Sequence, residues 1–223
     1  MRQNSDDKSG DVWLDDRLAQ NDEWIQAGQI PFSSKVIPVR ESLSTQQWVL
    51  PFEQVLEFLR NARSFALNHC ICRAHYQRCD HPTEVCFLIN DAADHAVARG
   101  IARHVSLQEA ENALRQADEG GLMHLTIYNP QQHVYAVCSC CSCCCHDLQF
   151  LKLYGRSDLV ARSEYVAHTD VQACTHCGDC IERCAFEARV WQDGLMGYDA
   201  GACYGCGLCV SVCPAEATVM LRK

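Results

Sequence analysis

The sequence predicts an α+β protein: a helical, cysteine-rich N-terminal domain carrying one small β-hairpin, followed by a compact cysteine-repeat domain. Three observations predict it. Apolar residues recur at helical spacing upstream of residue 120. Two β-rich runs flank a short turn between residues 122 and 137. Of 18 cysteines, eight fall in a doubled run near the C-terminus and ten lie upstream. The chain accordingly divides into an N-terminal extension over 1–48, a cysteine-rich helical domain with the hairpin over 49–160, and the repeat over 169–223.

The extension scatters Val12, Trp13, Leu14, Leu18, Trp24 and Ile25 among acids and glutamines, enough for a short helix or two. Pro51 suits a first helical position. Behind it Phe52, Val55, Leu56, Leu59, Ala62 and Ala66 recur at i, i+3, i+4 spacing, predicting an amphipathic helix over 51–67. A further helix is predicted over 91–103. Ser106 with Glu109 forms a capping box, and Leu107, Ala110, Ala113, Leu114 and Ala117 would be the buried face of the helix it opens. Gly120-Gly121 ends that helix. Residues 122–128 and 133–137 read as hairpin strands, 147–155 as a helix, and 157–168 as a linker or edge strand.

The doubled run is the strongest signal. Cys174, Cys177, Cys180 and Cys184 form a C-x2-C-x2-C-x3-C pattern, and Cys203, Cys206, Cys209 and Cys213 repeat it with Pro214 next. The same shift aligns Gly178 with Gly207, Glu187 with Glu216, Ala188 with Ala217, and Asp170 with Asp199. Two-residue gaps let a tight loop wrap three corners of a compact object, and the three-residue gap carries the fourth thiol away. Zinc also uses C-x2-C pairs, but has no use for a third cysteine two residues on. Disulfides fit poorly, since nothing here indicates an oxidising compartment.

Residues 169–223 thus resemble a bacterial two-[4Fe-4S] ferredoxin domain. That resemblance implies exchanged ligands: Cys174, Cys177, Cys180 and Cys213 for one cluster, Cys203, Cys206, Cys209 and Cys184 for the other. One departure is Ala185, where the pattern has proline. From about Val49 onward the order of a helix, the C-x-C-R of Cys70, Cys72 and Arg73, a capped helix, Gly121-Leu122, a hairpin and the C-x-C-C-x-C-C-C run from Cys138 to Cys145 ahead of the repeat is also similar to bacterial and archaeal 4Fe-4S binding proteins of the ferredoxin type. This wider likeness implies an iron–sulfur protein of anaerobic or redox metabolism and names no reaction.

The ten upstream cysteines fall in two groups: Cys70, Cys72, Cys79 and Cys86, then six within residues 138–145. Those six cannot all face one ion, because neighbouring side chains on extended backbone point apart. Four readings stand: at least one additional Fe-S cluster, a zinc or other soft-metal site, a dithiol–disulfide centre, or inert buried thiols. The candidate ligands are Cys70, Cys72, Cys79, Cys86, Cys138, Cys140 and Cys141. Arg73 would donate to sulfur, bind an anionic substrate, or form a surface salt bridge. Tyr204, inside a cysteine loop, would pack on a cluster or fill space.

The net charge is −9, and two oxidised clusters with their thiolates would bring it to about −13. Nucleic acid is a poor partner for such a surface, whereas a redox partner protein with a basic docking surface suits it. No membrane span is expected, since no run reaches about 18 apolar residues. Residues 1–28 lack a signal-peptide core, so the expected address is cytoplasmic. Oligomeric state is left open. Single-electron transfer to or from a partner oxidoreductase is the leading expectation. The alternatives are a redox enzyme reducing a small substrate at the upstream cysteines, and a metal or redox sensor. Walker, dinucleotide-binding and nucleophile-elbow patterns are absent.

Overall fold

A computed structural model describes residues 10–37, 51–131 and 133–223; the boundary expected at residue 48 lies outside them. It has both helices and mixed sheets, as an α+β chain should. The N-terminal part, however, is built on a seven-stranded sheet and not on helices with a small hairpin. The strands are β1 (Ser34–Ile37), β2 (Phe65–His69), β3 (Glu84–Ile89), β4 (Ala102–His104), β5 (Met123–Asn129), β6 (His133–Cys140) and β7 (Val160–Ala161). They lie in the order β4-β2-β3-β6-β5-β1-β7. The expected hairpin is β5–β6, but it occupies the middle of this sheet. Strand β1, from the stretch set apart as an extension, pairs antiparallel with β5 and parallel with β7.

Three of these strands were hidden for identifiable reasons. The helix expected over 51–67 stops earlier, as α2 (Pro51–Asn61), and Phe65–His69 joins the sheet. Strand β3 has both faces covered, so its apolar run lacks the alternation that marks a half-exposed strand. The helix expected over 91–103 is α4 (Asn90–Ala98), and its anticipated end is β4. In β2 and β4 strand pairing decided the conformation of residues that the sequence assigned to a helix.

Helices cover both faces. On one, α2 and α5 (Leu107–Glu119) bury Val55, Leu59 and Leu114 against Leu67, Phe87 and Val137. Both halves of the Ser106/Glu109 capping box are formed. Leu114 is fully buried, which stabilises by roughly 1.5–3 kcal/mol relative to exposure. On the other face α1 (Val12–Gln26) and α6 (His146–Tyr154) cover Val36, Leu125 and Ile127 with Leu14, Leu148 and Phe150. Among the described residues no helix is long and apolar enough to cross a membrane.

The cysteine repeat folds as two like halves. Strand β8 (Tyr165–Thr169) pairs with β11 (Thr218–Arg222), and β9 (Arg189–Gln192) with β10 (Leu195–Tyr198). Short helices α7 (Asp179–Arg183) and α8 (Leu208–Ser211) open at Gly178 and Gly207, both left-handed. The halves also lock crosswise: Asp170 N–H donates to the Ala217 carbonyl, and Asp199 N–H to the Ala188 carbonyl, each at 2.8 Å. These are equivalent pairs under the sequence repeat. The duplication therefore extends to the hydrogen bonds and is not confined to the cysteines.

Candidate metal centres

The left-handed glycines turn the chain tightly enough for each loop to aim its thiols inward. One cavity of the repeat is bordered by Cys174, Cys177, Cys180 and Cys213, the other by Cys203, Cys206, Cys209 and Cys184. Each therefore draws three thiols from one run and the fourth from the other. Burial pushes the Cys206 thiol up and the Cys209 thiol to about 11. Buried thiols in such surroundings stay protonated until a bound cation displaces the protons. Four soft donors around each cavity fit an iron–sulfur cluster.

Residues 196–218 match the 4Fe-4S binding domain. At least one 4Fe-4S cluster is implied. The matched stretch holds Cys203, Cys206, Cys209 and Cys213, the second of the two runs. Neither the curated proteins nor the solved structures contain a match to this chain.

Sequence reasoning missed Arg189. It is only 2% exposed, inside the repeat, where a strand residue of this kind would ordinarily face water. Its guanidinium lies over the Tyr198 ring, 4.8 Å from the centroid, and donates to the Cys180 sulfur. It also reaches the Cys209 sulfur. One cation thus serves both thiol sets.

The sheet divides the ten upstream cysteines into two sites. Register Phe87↔Val137 sets Cys86 beside Cys138, while Leu125↔Cys138 and Met123↔Cys140 put Cys138 and Cys140 on one face. Cys145, at the start of α6, and Cys70 and Cys72, flanking the start of α3 (Ile71–Tyr76), complete this group. Thiol contacts run from Cys70 to Cys72, Cys145, Cys140, Cys138, Cys86 and back to Cys70, a closed ring of six. Cys70, Cys138 and Cys145 are drawn below the usual thiol range by hydrogen bonds from the neighbouring thiols. Cys72, Cys86 and Cys140 are raised, chiefly by donating those bonds and then by burial.

The second site joins Cys79 and Cys141 to Cys143 and Cys144. The seven candidate ligands thus split five and two. Cys143, Cys144 and Cys145 lie outside those seven candidates, since three consecutive cysteines give no indication of which way each points. Only the strand end and the turn into α6 decide it.

Arg73 makes no surface salt bridge. It is 3% exposed, and its Nη1 donates to the Ser139 carbonyl at 3.1 Å and to the Cys141 sulfur at 3.8 Å. Its Nε and Nη2 are buried without a protein partner, beside Cys70 and Cys86. Two buried, unsatisfied charged donors next to a thiol ring suit an anionic, sulfur-bearing group. His146 approaches the ring too, with Nδ1 3.1 Å from the Cys72 sulfur. Trp13 of α1 covers this side, stacked on His75 and edge-on to His146. His69 is exposed and bonds Thr83.

Ring and repeat share one apolar core. Cys140 and Cys145 belong to the same buried cluster as Tyr204, Cys206 and Leu208, with Phe186 packed against it. Tyr204 stacks on Phe186, their centroids 4.4 Å apart.

Proposed function

We propose that this iron–sulfur protein is a one-electron carrier with two low-potential [4Fe-4S] clusters in the repeat and a further cluster in the six-thiol ring. The observation that carries this reading is the common core joining Cys140 and Cys145 of the ring to Cys206 of the repeat. Clusters of this type supply one-electron redox chemistry, with a potential set by charge, hydrogen bonding and solvent exposure. The chain's own residues provide those three settings. Ala188 and Ala217 are buried, with Ile181 and Val210 packed beside them, so water is kept from Cys180, Cys203 and Cys209, while Cys177 stays exposed. Arg189 places a positive charge between Cys180 and Cys209, and Arg73 places one beside Cys70 and Cys86 of the ring. Tyr204 and Phe186 fill the space between the two regions and need no chemical role of their own.

The assignment of ligands follows the cavities: Cys174, Cys177, Cys180 and Cys213 for one cluster, Cys203, Cys206, Cys209 and Cys184 for the other. The net charge of −9 favours a partner oxidoreductase with a basic docking surface. Iron and acid-labile sulfide counts on oxygen-free protein test the reading. The expected result is more than about eight irons per chain, falling to about eight when Cys72 and Cys140 are both changed to serine. Reduction should produce cluster EPR signals. Eight irons or fewer in the unaltered protein removes the third cluster, and no signal at any applied potential removes electron transfer.

A further inference from the structure

The four thiols left outside the ring differ from every other set in how closely they stand. Sγ of Cys79 lies 3.7 Å from that of Cys141 and 3.8 Å from that of Cys144, which is 3.8 Å from that of Cys143. All four lie within 4.8 Å of one another, the one such convergence of donors found among the described residues. Zinc–thiolate bonds of about 2.3 Å, arranged tetrahedrally, put the sulfurs about 3.8 Å apart. In a four-iron cube each thiolate binds a different corner, so the sulfurs are splayed around the cube and do not touch. The space here takes one ion and no cube.

We propose that Cys79, Cys141, Cys143 and Cys144 hold a single tetrahedral divalent ion of the zinc class, distinct from every iron–sulfur site. The surrounding groups suit four bound thiolates around one dication. Arg73 donates to the Cys141 sulfur. Backbone N–H groups of Cys144 and Arg78 reach the sulfurs of Cys141 and Cys144 respectively. The Arg78 side chain holds the turn itself, donating to the Cys143 carbonyl at 3.2 Å and to Gln149 Oε1 at 2.9 Å. Such outer bonds orient ligands and spread their charge. With four cysteines and no open position the site is structural. It fastens the loop between α3 and β3 to the turn between β6 and α6, segments 62 residues apart at Cys79 and Cys141.

The test uses the full chain, purified without oxygen with its iron in place, and reads zinc by elemental analysis and zinc-edge X-ray absorption. Expected are about one zinc per chain and a shell of four sulfurs at about 2.3 Å. Cys79→Ser and Cys143→Ser should each lower zinc retention about tenfold or more at unchanged iron and sulfide, while Cys140→Ser leaves zinc in place. Loss of iron and sulfide from Cys79→Ser or Cys143→Ser overturns the proposal, because the set then carries a cluster. Equal zinc loss from Cys140→Ser overturns it by placing the ion in the ring. Should a variant fail to fold, the unaltered protein decides: no zinc, or a shell with fewer than four sulfurs, overturns the assignment.

Discussion

Arg189 Nη1 donates to the sulfur of Cys180 across 3.7 Å, from a side chain almost wholly withdrawn from solvent. Because the same guanidinium reaches Cys209, it links thiols of both repeat cavities. Reduction adds negative charge to such a site, so a neighbouring cation favours the reduced form. Arg189→Met should lower the potential of at least one repeat cluster. A charged hydrogen bond is worth about 1.5–3 kcal/mol, and about 59 mV is a tenfold shift for one electron, so the drop should be about 60 mV or more. Arg189→Lys should retain part of the effect. Spectroelectrochemical titration of the three proteins checks this, and unchanged potentials in Arg189→Met would refute it.

Cys184 stands with the second run, although the sequence places it in the first. Cys184→Ser should therefore give the same spectroscopic loss as Cys203→Ser, while Cys213→Ser pairs with Cys174→Ser. EPR of the reduced variants separates the two phenotypes. If Cys184→Ser instead resembles Cys174→Ser, the exchange of ligands is wrong.

Gly205 has φ +75°, and a Cβ there would run into the Tyr165 carbonyl oxygen and approach Ser163 Cβ at 2.8 Å. Gly205→Ala should cost about 2 kcal/mol or more, through strain and displacement of β8. Gly194 has a similar φ of +79° but open space around it, so Gly194→Ala should cost only about 1 kcal/mol. Thermal denaturation of the two variants measures the difference. Equal losses would mean that φ alone, and not the close approach to Tyr165, governs Gly205.

His124 sets a pH dependence. It is fully buried in β5, with Nδ1 3.0 Å from Ser139 Oγ and Nε2 unpartnered. Burial lowers its pKa from 6.5 to about 4. Between those values the unfolded chain binds a proton that the folded chain does not. Stability is therefore held above pH 6.5 and falls as pH drops toward 4, by at most about 3 kcal/mol. In His124→Gln this loss should disappear from denaturant unfolding measured across that range. A slope identical to that of the unaltered protein would show that other groups cause it.

Much of the repeat was legible because its information is local. Gaps of two and three residues restrict where a thiol can reach, and the halves carry the same residues at turns and caps. The Ser106/Glu109 box and the β5–β6 hairpin were legible for the same reason. The rest of the sheet was not. Phe65–His69 continues a helical spacing, and Glu84–Ile89 is covered on both faces, so neither shows the two-residue period of a half-buried strand.

By itself the sequence determined that this is a cysteine-ligand protein with a duplicated C-terminal thiol array, since ligand spacing is a property of contiguous chain. The tertiary structure alone decided how the other ten thiols divide into a ring of six and a tight group of four. That division depends on β3 lying beside β6 and on the loop carrying Cys79 reaching the turn before α6. It likewise decided that Arg73 and Arg189 are buried against sulfur. Contacts between segments far apart in sequence arise from sheet pairing and packing, which no local spacing encodes.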